Sequence, residues 1–239
     1  MSTERLQAYL AHAGVASRRK AEGLMTSGHV FVNGVRVTKL GTKVDPARDE
    51  VRVDERIVTA QTLVYYALHK PIGYVSARTS PHADQLVTEL VPNEPAVIPV
   101  GRLDKRSSGL MILTNDGPFA YQLTHPKFVH EKEYEISVRC PSVAALPLAL
   151  ERLGRGVRVN RERQEFDRCE IVSQAGDQAT LRVTLHTGKK RQIRRMAAAV
   201  GLAVPSLQRI RIGHLHLGNL QPGQWRVITP SDVIDLRLA

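Results

Sequence analysis

Cysteine, tryptophan and aromatic residues in general are scarce in this chain: two Cys, one Trp and 5% aromatics in 239 residues. Cys140 and Cys169 stand alone with no CxxC spacing, so neither a disulfide framework nor a zinc site is supported. The nine histidines are scattered, and His214 and His216 on a predicted strand read as a polar strand face, not a metal pair. No metal is expected. No apolar run approaches the length of a membrane span, so no membrane partner is expected. The opening MSTERLQAYL puts Glu4 and Arg5 where a secretion signal needs an apolar core, which predicts a soluble, cytoplasmic protein. There is no GxGxxG after a strand and no GxxxxGK[ST], so no dinucleotide or triphosphate cofactor is expected. Internal repeats and low-complexity tracts are absent as well. One further absence is local. Between Asp177 and Asp232 there is no Asp or Glu, yet that stretch carries nine Lys or Arg, four of them within Lys190–Arg195. With a net charge of +11, this is the footprint of a phosphate-backbone partner; a solubilising surface would mix both signs.

What is present divides near residue 60. In residues 1–60, Leu6, Leu10 and Ala13 share one helical face that Gly14 stops. Ser17 caps a second helix, in which Ala21, Leu24 and Met25 pack and which Gly28 ends. HVFVNGVRV, residues 29–37, alternates around Asn33-Gly34, the strongest short hairpin signal. Arg18, Arg19 and Lys20 fall in the first turn of the second helix, where cations oppose the helix dipole. A phosphate would be drawn there by the charges and by the free N–H groups together.

On these elements, RLQAYLAHAGVASRRKAEGLMTSGHVFVNG resembles an S4 domain, an RNA-binding module, over Arg5 to about Val53. The resemblance implies RNA contacts at Arg5, Ser17, Arg18, Arg19 and the turn at Asn33.

Residues 61–239 predict a mostly β domain. Strand character recurs at 64–69, 109–114, 131–139, 179–186 and around Arg209–His216, with helical pattern at Ser142–Leu153 and Lys189–Val200. Strands returning with few helices between them predict an antiparallel or mixed sheet, and an α+β protein overall. Within VGRLDKRSSGLMILTNDG, Asp104 sits in a turn among Arg102, Lys105 and Arg106, ahead of the apolar strand. Flanking cations favour an ionised carboxylate, which suits a nucleophile or general base. In the predicted helix Ile193, Met196, Ala197 and Val200 repeat at i, i+3, i+4 and i+7 and form its buried face. Arg191, Arg194 and Arg195 flank that face, and their fork geometry suits phosphate or carboxylate.

KPIGYVS (70–76), GRLDKRSSGLMILTNDG (101–117), HEKEYEI (130–136) and TGKKRQIRRM (187–196) together resemble a pseudouridine synthase of the RsuA/RluB/RluE/RluF branch, which pairs an S4 domain with a catalytic domain. HEKEY and the late PGQWR are most similar to RluF-like members. The resemblance implies Asp104 as catalytic nucleophile, and Arg102 as a residue holding the site open around an extruded nucleotide. It implies Tyr134 stacking on the target uracil, Ile193 packing against the base, and Arg194 pairing with the aspartate. Lys105, Lys190, Arg191 and Arg195 would then line the RNA path. Arg106 and Lys189-Lys190 depart from the commoner family residues, adding positive charge without removing a catalytic group. The implied reaction isomerises a uridine in ribosomal RNA, with the large subunit favoured, in a stem-loop or an assembly intermediate. It uses no cofactor, and transfer RNA is a further substrate class. A monomer is expected. The uracil must leave its stack to react, and one carboxylate attacks either C1′ or the base. Two other classes fit less. A non-catalytic S4 assembly factor gives no reason for GRLD, KEY and RQIR to occur together. A nuclease or methyltransferase would need paired carboxylates or a cofactor loop.

Overall fold

A computed structural model describes residues 3–81 and 85–238. They form two compact units. One is Met1–Val64 with the short pieces Asn93–Ala96 and Asn115–Gly117; the other is Tyr65–Pro92, Val97–Thr114 and Pro118–Ala239.

In the first unit, helices Leu6–His12 and Arg18–Thr26 bury Leu6, Leu10, Ala21 and Met25 against Val30, Val44 and Val51. The Ser17 hydroxyl accepts from Lys20 N–H at 3.4 Å, which fixes where the second helix begins. That helix ends at Gly28, whose φ of +80 a side chain would resist. Strands Val30–Val32 and Val35–Arg36 form the expected hairpin, with φ of +50 at Asn33 and +79 at Gly34. Both central residues are therefore left-handed, as a tight hairpin turn requires. Strands Val51–Val53 and Arg56–Ile57 complete a four-stranded sheet.

The second unit is built on a nine-stranded sheet. Its strands are β1 (Tyr65–Lys70), β2 (Ile98–Val100), β3 (Ser108–Thr114), β4 (Lys132–Arg139), β5 (Arg168–Ala175), β6 (Gln178–Leu185), β7 (Ala203–Ile212), β8 (Leu215–His216) and β9 (Trp225–Val227). The spatial order is β5-β6-β4-β7-β3-β1-β9, with β2 beside β3 and β8 beside β7. All pairings are antiparallel except β7 with β3, so the sheet is mixed. β4 alternates, burying Tyr134, Ile136 and Val138 on one face, as a half-covered strand should. β3 is buried along nearly its whole length and forms the centre of the core with Phe119, Leu123 and Leu236. The predicted helix at 142–153 is observed as a short 3₁₀ turn followed by Leu146–Gly154.

One expectation needs correction. The helix predicted over Lys189–Val200 spans only Gln192–Ala198. Arg191 precedes it with φ of +53, a left-handed conformation uncommon for an arginine, and belongs to the turn. The turn is held by the Gln192 side chain, whose oxygen accepts from Thr187 Oγ at 3.0 Å and Lys189 N–H at 3.2 Å. The buried face is as expected: Ile193, Met196, Ala197 and Val200 are all buried.

Candidate active site

Asp104 opens an exposed turn that Ser107 N–H closes by donating to the Asp104 carbonyl at 3.0 Å. The segment KPIGYVS holds this turn at three alternate residues. Ser76 Oγ donates to the Leu103 carbonyl at 2.8 Å and accepts from Leu103 N–H at 3.1 Å. Gly73 N–H donates to the Lys105 carbonyl at 2.8 Å. Lys70 Nζ donates to the Ser107 carbonyl at 2.7 Å and the Pro71 carbonyl at 2.9 Å. A loop fixed at so many backbone groups presents its carboxylate from a rigid platform.

The turn is also fixed from its far side. Gly109 has φ of +111, and a Cβ there would lie 2.3 Å from the Arg209 carbonyl oxygen. Only glycine permits the parallel crossing of β3 and β7, which pairs Gly109 with Arg209.

Lys70 is fully buried, and burial pushes its ammonium down to about 8. The Asp104 carboxylate opposes that shift and the Arg209 guanidinium adds to it. The sequence reading missed Lys70. A lysine ending the apolar strand YYALHK, immediately before a proline, was the available signal.

The structure does not place Arg194 and Asp104 in an ion pair. Arg194 donates from Nη1 to the Val204 carbonyl and from Nη2 to the Arg106 carbonyl, the latter at 3.0 Å. No described residue forms an ion pair with Asp104, so local pairing with Lys105 or Arg106 is absent too. The physical reason is placement: both Nη groups of the half-buried guanidinium are taken up by fixed carbonyls, while the Asp104 carboxylate stands exposed to solvent. Burial lowers the Arg194 pKa, the Asp104 charge opposes that, and Arg191 and Arg106 deepen it. Arg194 therefore acts on Asp104 through space while tying its turn to β7.

A cleft of about 290 Å³ opens beside Asp104. Arg102, Tyr134, Ile193 and Arg194 line it, as do Lys190 and Arg191 from the turn before the helix. Residues of three motifs that lie far apart in the chain, GRLDKRSSG, KEYEI and TGKKRQIR, thus converge on one space, while KPIGYVS holds the Asp104 turn without lining the cleft. Lys105 and Arg195 are exposed and not among its lining residues. Ser107, only 1% exposed, also lines the cleft, and its hydroxyl has no hydrogen-bond partner among the described residues. Of the exposed cations here, Lys189 is neutralised by Glu162, whereas Arg102, Lys105, Arg106, Lys190, Arg191 and Arg195 meet no carboxylate among the described residues.

In the first unit, Arg5, Ser17, Arg18 and Arg19 are exposed, and none of these arginines is ion-paired among the described residues. Asn33 is different. Its amide donates to Asp49 at 2.9 Å and its oxygen accepts from Glu50 N–H at 2.9 Å, so its side chain is engaged in holding the hairpin turn.

Comparison with known proteins adds the following. A family model described as RNA pseudouridylate synthase matches residues 64–199, and an S4 domain model matches residues 4–51. The chain is 40% identical, over 98% of its length and 96% of the relative's, to ribosomal large subunit pseudouridine synthase B of Bacillus subtilis (strain 168). It is 36% identical, over 98% of its length and 79% of the relative's, to the dual-specificity RNA pseudouridine synthase RluF of Escherichia coli O157:H7. The RluF likeness of HEKEY and PGQWR is therefore not matched by a higher overall identity. A crystal structure of a pseudouridylate synthase aligns over 97% of this chain and 99% of that one, with a TM-score of 0.64 and 25% identity.

Proposed function

This chain belongs to the RNA pseudouridylate synthase family and carries an S4 domain, and from that premise we propose that it converts one uridine of ribosomal RNA to pseudouridine with Asp104 as its nucleophile. The observation that carries the assignment is the cleft in which Asp104, Arg102, Tyr134, Ile193 and Arg194 meet. The large subunit is favoured, because a relative identical at 40% is named for that particle. The dual specificity named for the second relative makes a further RNA, such as transfer RNA, worth assaying. The reaction belongs in the cytoplasm with its ribosomal substrate. We take the working unit to be a monomer.

Division of labour follows the two sequence regions: residues 1–60 hold RNA through Arg5, Arg18 and Arg19, and residues 61–239 carry the chemistry. The isomerisation breaks the N1–C1′ bond, turns the uracil and joins C5 to C1′. The proton on C5 leaves and N1 gains one, so nothing is oxidised or consumed. Asp104 attacks C1′ or the base. Tyr134, 8% exposed at the cleft wall, offers its ring to the extruded uracil, and Ile193 offers the opposite apolar surface. Arg194 ties the Asp104 turn to β7 through the Arg106 and Val204 carbonyls, without a direct pair to Asp104.

Full-length Asp104→Asn tests this on an unmodified ribosomal RNA transcript. Binding is expected within about twofold of wild type, while pseudouridine formation falls by several orders of magnitude, as for loss of one covalent catalyst. Substantial turnover in the variant removes Asp104 from the role. If wild type also leaves the transcript unmodified, the non-catalytic S4 factor becomes the better reading.

A further inference from the structure

A second cavity, of about 520 Å³, shares Arg102, Tyr134 and the Thr187–Lys189 turn with the Asp104 cleft as a common wall. Its size suits a small-molecule or nucleotide ligand. Much of its surface is apolar, from Val100, Leu123, Phe128 and Val129. Besides Arg102 and Lys189 of the shared wall, two further cations line it, Lys132 and Arg209. Arg209 is only 3% exposed; its Nε donates to the Leu110 carbonyl at 2.8 Å, and its Nη2 has no partner among the described residues. Lys132 Nζ donates to the His130 carbonyl at 3.0 Å. Neither is ion-paired among the described residues. Glu131 and Glu133, the sequence neighbours of Lys132, are committed to Arg211 at 3.2 and 3.1 Å, as strand alternation to the opposite face dictates. A buried and a half-buried cation side by side without an anion are costly, and burial and Arg209 together push Lys132 down to about 8. An anionic ligand relieves both.

The rim says what kind of anion. In a chain poor in aromatics, Tyr121, His125 and Phe128 adjoin at this end of helix Gly117–Thr124, with ring centroids 4.7 and 6.3 Å apart. The Lys127 ammonium lies 4.6 Å from the Phe128 ring centre, and Val129 is 63% exposed. Stacking surface beside cations is the recognition chemistry of single-stranded nucleic acid. We infer that this cavity binds a nucleotide flanking the target uridine on the same RNA strand, its base against the apolar wall and its phosphate toward Lys132 and Arg209. The shared wall at Arg102 and Tyr134 lets consecutive nucleotides enter the two cavities. This rests on the function proposed above and extends it to a second recognition site.

The test uses the full chain with Val129 replaced by a benzophenone-bearing amino acid, and an unmodified ribosomal RNA transcript. After irradiation, the crosslinked nucleotide is mapped by reverse-transcription stops and compared with the pseudouridine made by wild type. The crosslink is expected within two nucleotides of that position. Lys132→Met is expected to raise KM about tenfold with kcat nearly unchanged, the loss of one charge-assisted contact. Adenosine monophosphate or inorganic phosphate at millimolar concentration should leave the crosslink in place. Crosslinks far from the pseudouridine, or none together with a Lys132→Met KM equal to wild type, overturn the inference while the proposed function stands. A crosslink that adenosine monophosphate abolishes without slowing modification marks a free-mononucleotide site and also overturns it. A transcript that stays free of pseudouridine overturns the proposed function, and this inference falls with it.

Discussion

Lys70 is fully buried, and its ammonium donates to the Ser107 carbonyl in the turn that Asp104 opens and to the Pro71 carbonyl next to it in the chain. Its ammonium is charged at neutral pH, with Asp104 opposing the burial that lowers its pKa to about 8. The consequence for stability has a definite sign. An unfolded lysine holds its proton to about 10.5, so between about 8 and 10.5 the unfolded chain binds a proton that the folded one has released. Stability from this group therefore rises with pH across that window, and the cost of burying the charge is greatest below it. Lys70→Met should flatten the rise by up to about 1.4 kcal/mol per pH unit, one proton's worth. Urea unfolding at several pH values from 7.5 to 9.5 reads this directly, and an unchanged slope contradicts it. Lys132, also near 8, leaves a residual slope in the variant. At this scale the sequence was legible where a residue type is itself the signal. Asp104, Tyr134 and the face of Ile193 could be singled out because a lone carboxylate, a rare aromatic and a helical period each stand out. The Arg194 contact could not. Which of several nearby acceptors a guanidinium takes depends on carbonyls brought in by β7, and no spacing in the chain encodes them.

The element that does most for the site is the stretch after β1, whose residues contribute backbone and hydroxyl groups more than chemistry. Ser76 makes two hydrogen bonds to Leu103, so Ser76→Ala removes the tie adjacent to Asp104. Unmet buried backbone groups cost about 1–3 kcal/mol, and displacing a reacting group by an ångström costs up to about 100-fold in rate. The variant should fold and bind RNA with near-normal affinity, while kcat drops by about 10- to 100-fold in single-turnover assays of pseudouridine formation. An equal loss of affinity and rate contradicts a positioning role. The S4 helices and hairpin were legible because caps, glycines and Asn-Gly are local signals, and the five strands named from sequence all occur. β5 was not read, for Arg168–Ala175 is largely exposed and lacks the apolar alternation that marks a half-buried strand. The helix at Gln192–Ala198 was read too long at its start, because nothing in GKKRQ announces a left-handed arginine.

For the whole molecule, charge is the organising quantity. Cations without carboxylate partners occur in both units, at Arg18 and Arg19 in one and around the Asp104 cleft in the other. Affinity for RNA should fall steeply with salt, and a full-length Arg18→Glu, Arg19→Glu double variant should bind more weakly with a slope shallower by about two. Filter binding from 50 to 300 mM salt measures both, and an unaltered slope removes the first unit from RNA recognition. The sequence carried this well, since clustered charge needs no fold to be seen, whereas the cavity floored by Arg209 depended on a crossing invisible in the linear order. That crossing also sets when an enzyme first exists. Leu110 and Arg209 are joined by a hydrogen bond across 99 residues, and the glycine beneath it cannot be seated until β7 arrives. At synthesis rates of about 5–20 residues per second, the Asp104 turn emerges from the ribosome on the order of 5–20 s before the strand that closes its platform. A nascent chain that stops short of β7, even one whose first two helices are complete, thus lacks the contact that seats the Asp104 platform.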